Sequence, residues 1–567
     1  MEDQMDRANP LLGKSKQFEV LYVPELLGRQ KGRAQELALI DPPNRQKITG
    51  GTPARLTWRD VEERVNRLAH ALLSAGILPG QVIVTPAPTI HETILLQLAI
   101  IRIGAVVAPV PIQYREYELT KIAGMAKPAA FVGFDRLGCH ANAEMLAGLA
   151  SDLGEGAVVM AFGSNLPEGV ISLDEWLDED RPGQAERLAE LDARFRPTAD
   201  TLALIIFTSG SEAEPKAVPK THRACAGLGL FLHDLAGLPD GGCILSPRML
   251  NTAGGITTGL IPWLYQGARL VLHHPFDMDV FLQQIADEKP EYTSCPPAIL
   301  HMILQRDDAG DPVDLGRLHH ITSGSEALSA NVVTEFKLRY GIDIVNVYGS
   351  SEGAMLYSSE QDVDDPDLRA TSFPAFGGRF ESRLATGNGI KTRLADPETG
   401  EEVTEAGVTG ELEFVSPTLF SGYLDAPERT KNAFTDDGFY KTGDLFRYTG
   451  PEGRFLRFVG RSKNLIVRGG LNISAEEIMA LVADHPSVKE AAIVGRPSKK
   501  LGQQVCAVVV LRPGKTLTLE GLNSYLKNDR RVSVFKLPEF LEIAERIPRA
   551  AGGKPDMVAL RKMAGGE

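Results

Sequence analysis

Short apolar runs alternating with helical patterns constrain this chain more than any other feature. VIVT at 82 precedes a helical stretch near 91–103, then AVVAPV; AAFVGF, AVVMAF, LALIIF, RLVLHH and DIVNVYG follow. Runs of this length bounded by turn-forming residues suit strands buried on both faces, and their alternation with helices implies α/β architecture with largely parallel sheets. The 567 residues allow two or more domains and a large core. The most apolar stretch, ETILLQLAIIRIGAVVAPVPI, contains Arg102, Gly104 and two prolines. It reads as a buried helix turning into a buried strand, not a membrane span.

After about residue 380 the texture changes. SRLATG, GELEFV and GRFLRFVGR, with Gly, Asp and Pro between them, predict smaller antiparallel β units. From about 463 the pattern restarts as a compact α+β module. Ser474 and Glu477 fit a capping box opening the helix AEEIMALVADH, and EAAIVGR and QVCAVVVL read as strands. A domain boundary is expected near 460–464, dividing the chain into 1–462 and 463–567.

A net charge of −14 disfavours a general nucleic-acid binder. The start, MEDQMDRANPLLGKSK, lacks the apolar core of a signal peptide. Five scattered cysteines without CxxC spacing argue against a disulfide framework or zinc site, so a cytoplasmic protein is expected.

One loop carries phosphate-binding chemistry. In FTSGSEAEPKAVPKTH, residues 207–222, a strand runs into Thr208, Ser209, Gly210 and Ser211, and Lys216 follows Pro215. Hydroxyls, exposed backbone N–H groups and a cation suit phosphate, although GxxxxGK[ST] is absent. Alone, the stretch reads better as a solvated strand–helix connection. NVYGSSEG at 346–353, GFYKTGDL at 438–445, GRSKNLIVRGGLNISAEEI at 460–478 and IPRAAGGK ending at Lys554 change that weighting. In this order, the five segments resemble the adenylate-forming superfamily of acyl-CoA ligases, aryl acid ligases, peptide-synthetase adenylation domains and luciferases. The character is closest to acyl-CoA ligases.

The resemblance implies a large N-terminal domain of layered, largely parallel sheets with a small β-barrel-like subdomain, and a small mobile α+β C-terminal domain. It also implies a reaction in two halves. A carboxylate attacks the α-phosphate of ATP to give an acyl-adenylate; the C-terminal domain then rotates, and a coenzyme A or carrier-protein thiol displaces AMP. By the same resemblance, Ser351 bonds the α-phosphate and Glu352 holds Mg²⁺, which takes oxygen ligands. Gly324, Ser325 and Glu326 line one side of the adenine pocket, with Asn346, Val347 and Tyr348 on the other. Asp444, assisted by Arg461, accepts the ribose hydroxyls. Lys463 is the hinge, Gly469 and Gly470 line the pantetheine tunnel, and Lys554 stabilises negative charge during adenylation.

Departures from the family pattern are informative. The family loop reads TSGTTGxPKG; this chain has Ser211, Glu212, Ala213 and Ala217 at the variant positions. Glu212 removes a hydroxyl and adds a negative charge beside a polyanion. At ~5 Å and an effective dielectric of ~20, each unit-charge repulsion is on the order of 3 kcal/mol. Even ~2–3 kcal/mol weakens ATP roughly tenfold to a hundredfold. Ala213 compounds this where glycine allows close phosphate approach. AMP and an acyl-adenylate lack the β- and γ-phosphates. The chain is therefore expected to thioesterify a preformed acyl-adenylate, supplied by a separate adenylating enzyme, better than it makes one. In SPRMLNTAGGITTG, Asn251 stands where the resembled family commonly has His or an aromatic residue, and with room added by Gly254 and Gly255 this implies a bulky cyclic or aryl acid. Three alternatives remain: a complete ATP-dependent carboxylic acid–CoA ligase, an enzyme loading a carrier protein, and a non-catalytic acyl-adenylate sensor.

Overall fold

The computed structural model describes residues 22–154, 156–208, 215–325, 328–461, 465–468, 471–498, 501–530, 532, 534–549 and 555–565. The chain divides into two compact units. The first comprises residues 1–377, 381–391 and 415–438; the second comprises 378–380, 392–414 and 439–567.

Two sheets dominate the first unit. In one, the parallel strands Leu37–Ile40, Arg269–Leu272, Cys243–Ser246, Tyr292–Ser294, His320–Gly324 and Asp343–Gly349 lie side by side. Antiparallel strands Arg55–Thr57 and Met355–Ser358 close its edges. In the other, Leu202–Thr208, Val106–Val110, Val82–Pro86, Ala130–Phe134, Val158–Phe162 and Ile171–Ser172 run parallel, and Lys216–Thr221 pairs antiparallel to Leu202–Thr208 at one edge. The apolar runs become strands because both of their faces are covered: Val106–Val110 and Ala130–Phe134 are buried throughout.

Helix His91–Arg102 is buried along its whole length, as the run ETILLQLAIIR requires. Its lone cation is neutralised in place, with Arg102 Nη1 and Nη2 donating to the two Asp192 carboxylate oxygens at 2.7 and 2.8 Å. Among the described residues, no helix is long and apolar enough to cross a membrane.

In the second unit, Phe455–Arg461, Tyr440–Thr449, Thr409–Val415, Lys391–Ala395 and Glu402–Val403 follow one another across a sheet, the described pairings being antiparallel. A further sheet combines Leu465–Arg468, Leu471–Ser474, Val488–Ser498, Gly502–Leu511 and Phe540–Ile543. Two local expectations need correcting. SRLATG is not a strand: residues Ala385–Gly389 form a 3-10 turn, because glycines at 387 and 389 favour a tight bend over a ladder. Ser474 does cap helix Ala475–Ala483, accepting from Glu477 N at 3.0 Å, but the reciprocal half of the capping box is not made. Glu477 instead accepts from Lys536 Nζ at 2.7 Å.

Candidate active site

Parallel strands deliver their following loops to one edge, and in open α/β sheets that carboxyl edge is where ligands bind. Strands Cys243–Ser246, Tyr292–Ser294, His320–Gly324 and Asp343–Gly349 all end toward the loops that carry Arg248, Asn251, Ser325, Ser351 and Glu352.

The loop beginning at Thr208 is not a strand–helix connection. Thr208 pairs with Lys216 in an antiparallel ladder, so it joins two strands. Helix His222–Ala236 starts only after the second strand, capped by Thr221 Oγ1 accepting from Ala224 N. Lys216 Nζ lies 5.3 Å from the centre of the Tyr423 ring. Ser209, Gly210, Ser211, Glu212 and Ala213 lie outside the described residues.

Ser351 and Glu352 occupy a β-hairpin turn. Gly349 pairs with Met355, and Ser350 N donates to Ala354 O at 2.9 Å across the turn. Segment 416–423 clamps it. Phe420 N donates to Glu352 O at 2.8 Å, Thr418 Oγ1 to Gly353 O at 2.7 Å, and Tyr423 OH to Glu352 Oε1 at 2.9 Å. Gly353 adopts φ +106°, and a Cβ there would sit 2.0 Å from Thr418 O; only glycine fits. The Glu352 carboxylate is buried, has one oxygen taken by Tyr423, and offers the hard donor that Mg²⁺ takes. Beside the turn is buried Lys220, with Nζ 3.4 Å from Thr418 O. Burial lowers its ammonium to about 8, against an upward pull from the neighbouring Cys225 and Glu352.

Gly324 and Val347 are ladder partners, so close that a Cβ on Gly324 would be 2.0 Å from Val347 O. Ser325 follows with φ +79°, an unusual conformation for a side-chain-bearing residue. Arg248 supports this corner, its guanidinium donating to Ser294 Oγ at 2.9 Å and to Ser325 Oγ and Gly324 O at 3.4 Å. Glu326 lies outside the described residues. Asn346 turns its amide into the core, donating to Arg369 O and Ala370 O at 3.1 and 2.8 Å. Val347 and Tyr348 are half-buried beyond it.

Asn251 spans two strand ends. Its Nδ2 donates to Ala87 O at 3.3 Å and Val110 O at 3.0 Å, while the buried Oδ1 has no partner among the described residues. Gly254 is exposed, with Arg248 Nη1 3.6 Å from where its Cβ would be. Gly255 adds no room: a Cβ would lie 2.1 Å from Met249 O, so glycine here serves backbone packing. The helix beyond takes a π turn over Ile256–Leu260, a form concentrated at functional sites.

In the second unit, Asp444 sits in a bulge of strand Tyr440–Thr449. The pairing jumps from Lys441↔Glu413 to Leu445↔Glu411, Gly443 takes φ +72°, and Asp444 N donates to Thr442 Oγ1 at 3.1 Å. Asp444 is the ladder partner of Arg461 and pairs with it, Nε lying 3.2 Å from Oδ1. Lys463, Gly469, Gly470 and Lys554 lie outside the described residues.

The sequence reading missed Arg248, Thr418 and Tyr423. SPRMLN and SPTLFSGY lie far from 346–353 in the chain, and only the fold brings them to the site. It also missed a buried ionic cluster at the same sheet edge. Arg45 Nη1 donates to Asp41 Oδ2 at 2.6 Å and its Nη2 to Glu92 Oε1 at 2.7 Å, while His91 Nδ1 lies 2.6 Å from Asp41 Oδ2. Asp41, His91 and Glu92 have metal-ligand types within reach of one another, but the guanidinium already supplies the positive charge.

Two mostly parallel sheets whose loops gather at the carboxyl ends of the strands make the first unit an α/β fold of the kind that binds ligands there. The model of the AMP-binding enzyme family matches residues 32–424 and that of its C-terminal domain residues 477–554. The chain belongs to this family, the adenylate-forming superfamily, and stands close to its acyl-CoA ligases. It is 30% identical over 526 residues to the 2-hydroxy-7-methoxy-5-methyl-1-naphthoate–CoA ligase of Streptomyces carzinostaticus, covering 90% of this chain and 89% of that one. It is 27% identical over 552 residues to the medium-chain fatty-acid–CoA ligase of Escherichia coli, covering 94% and 92%. ATP-bound MatB from Rhodopseudomonas palustris superposes with a TM-score of 0.76 at 25% identity, over 95% of this chain and 98% of that one.

Proposed function

We propose that the protein forms an acyl-CoA thioester through an acyl-adenylate and works mainly or only on the second half-reaction, from preformed acyl-AMP. The observation that carries this reading is a contrast. The side chains assigned to the α-phosphate and ribose, Ser351, Asp444 and Arg461, are retained, whereas the loop assigned to the β- and γ-phosphates holds Glu212 and Ala213. A carboxylate among phosphate-binding groups opposes triphosphate and leaves AMP esters unaffected.

In this reading Glu352 would hold Mg²⁺ during adenylation, supplying positive charge against the phosphates. Lys554 stabilises negative charge at the carboxylate and α-phosphate. Residues 463–567 move about Lys463, and Gly469 and Gly470 then leave space for the pantetheine thiol. The acid is a bulky cyclic or aryl one. The naphthoate ligase among the relatives supports that class, and the unpartnered Asn251 Oδ1 favours an acid bearing a hydrogen-bond donor. A separate adenylating enzyme supplies the acyl-adenylate.

A second reading, a complete ATP-dependent acid–CoA ligase, is favoured by Lys216 and Lys220, two cations on the strand after the loop that offset Glu212. Acid-dependent ATP–pyrophosphate exchange, measured beside coenzyme A and carrier-protein turnover of synthetic acyl-adenylates, separates the readings. Turnover without exchange supports the first, and rapid exchange the second. Carrier-protein acylation alone identifies a loading enzyme, and binding without turnover a sensor.

A further inference from the structure

Lys220 is a buried cation to which the thioesterification reading assigns no role. It lies opposite Leu204 in the edge ladder and is 3% exposed. An ammonium has three donors, yet its single described hydrogen bond is the one to Thr418 O, at 3.4 Å, long for an N–H···O bond. A buried charge so poorly bonded needs a compensating charge. The Cys225 thiol cannot supply it, because burial pushes that group up to about 12. Glu352 can, from the turn packed against the ammonium: Lys220 Nζ bonds Thr418 O, and the Thr418 hydroxyl bonds Gly353 O, next to Glu352 in the chain. A Cβ on Gly353 would lie 2.7 Å from Lys220 Nζ, so the glycine makes room for the cation as well as for Thr418 O.

We infer that Lys220 is an internal counter-cation for Glu352, competing with a divalent cation for that carboxylate, so that the metal enters together with nucleotide phosphate and not alone. The inference rests on the reading of Glu352 as the metal-holding carboxylate. Phosphate oxygens add both ligands and negative charge, and these offset the repulsion between the ammonium and the incoming ion.

The test is Mn²⁺ titration at pH 7, followed by the paramagnetic signal of the free ion, on the full chain with and without AMP. No turnover is read, so the result is independent of which half-reaction the enzyme performs. Without nucleotide, Lys220→Met is expected to bind Mn²⁺ on the order of tenfold more tightly than wild type. Lys220→Arg, which keeps the charge, should match wild type, and the gain should vanish in Lys220→Met with Glu352→Gln. Near-ultraviolet circular dichroism checks folding. If Lys220→Met does not fold, Lys220→Gln, which keeps a donor for Thr418 O, carries the same expectation. A folded neutral variant with no gain, or a gain that survives Glu352→Gln, overturns the inference. Glu352→Gln alone, with AMP present, reports on the metal site itself. Unchanged Mn²⁺ affinity there removes Glu352 from the site and the inference with it, whereas lost affinity there without a gain in Lys220→Met overturns the role of Lys220 only.

Discussion

Thr208 and Lys216 stand opposite each other in an antiparallel ladder, so the segment between them is a connection between two strands whose ends are fixed by main-chain pairing. Glu212 is the middle residue of the stretch 209–215 that joins them. A change at its centre should therefore alter loop chemistry without shifting its anchors. Glu212→Thr with Ala213→Gly is predicted to strengthen ATP binding by on the order of a hundredfold, and by more than either single change. Calorimetry with ATP–Mg²⁺ checks this; an unchanged affinity would contradict it.

Asp444 and Gly470 should separate nucleotide binding from thiol entry. Asp444→Ala is predicted to weaken an acyl-adenylate analogue by about 1–3 kcal/mol, the scale of a lost hydrogen bond to a charged acceptor. Gly470→Leu should spare that affinity and lower the coenzyme A step. Equal loss of analogue binding in both variants would refute the tunnel assignment.

How much of this was legible beforehand depended on whether a feature is local. Runs such as LALIIF and DIVNVYG announce strands because burial on both faces imposes continuous apolarity. Ser474 announces a helix start because its hydroxyl meets an N–H three residues on. Arg248 and Tyr423 give no such signal, since their partners Ser294, Gly324 and Glu352 are distant in sequence. Gly255 misled because a missing side chain signals either room or close packing, and only the position of Met249 O decides which.

Gly353→Ala is predicted to destabilise the protein by about 2–4 kcal/mol, combining strain at φ +106° with a clash against Thr418 O. Urea unfolding measures it. The neighbouring substitution Gly254→Ala, at an exposed position with only ordinary contact, should change stability by less than about 1 kcal/mol.

The cluster around Arg45 should make stability fall in acid. Burial raises the Asp41 carboxyl, but bonds from His91 and Arg45 outweigh it and hold the group below its ordinary value. A carboxylate depressed in the folded state contributes stability above its unfolded value near 4, and that contribution is lost as pH falls through the folded value. Arg45→Met, leaving Asp41 and Glu92 uncompensated, is predicted to cost about 3–5 kcal/mol at pH 7 and to flatten this acid limb. Urea midpoints from pH 3 to 7 supply the comparison; a parallel acid limb in the variant would contradict it.

In the proposed reading, Asn251 links the acid to the scaffold. Asn251→Leu removes both the donors to Ala87 O and Val110 O and the Oδ1 that has no partner among the described residues. It should destabilise by about 1–3 kcal/mol and raise the KM for acyl-adenylates whose acyl group carries a donor more than for those without one. A uniform rise across both sets would mean the residue acts only through the scaffold.

The central claim is that the altered loop disfavours triphosphate while the acyl-adenylate site is intact. It is tested most directly by giving the unmodified enzyme a panel of bulky cyclic and aryl acids in two parallel assays. One measures acid-dependent ATP–pyrophosphate exchange, and the other coenzyme A thioester formation from the corresponding synthetic acyl-adenylates. The account predicts thioester formation with little or no exchange, and exchange recovered in Glu212→Thr with Ala213→Gly but lost again when Lys554→Ala is added. Rapid exchange by the unmodified enzyme would contradict it, and the complete ATP-dependent ligase would be the correct reading.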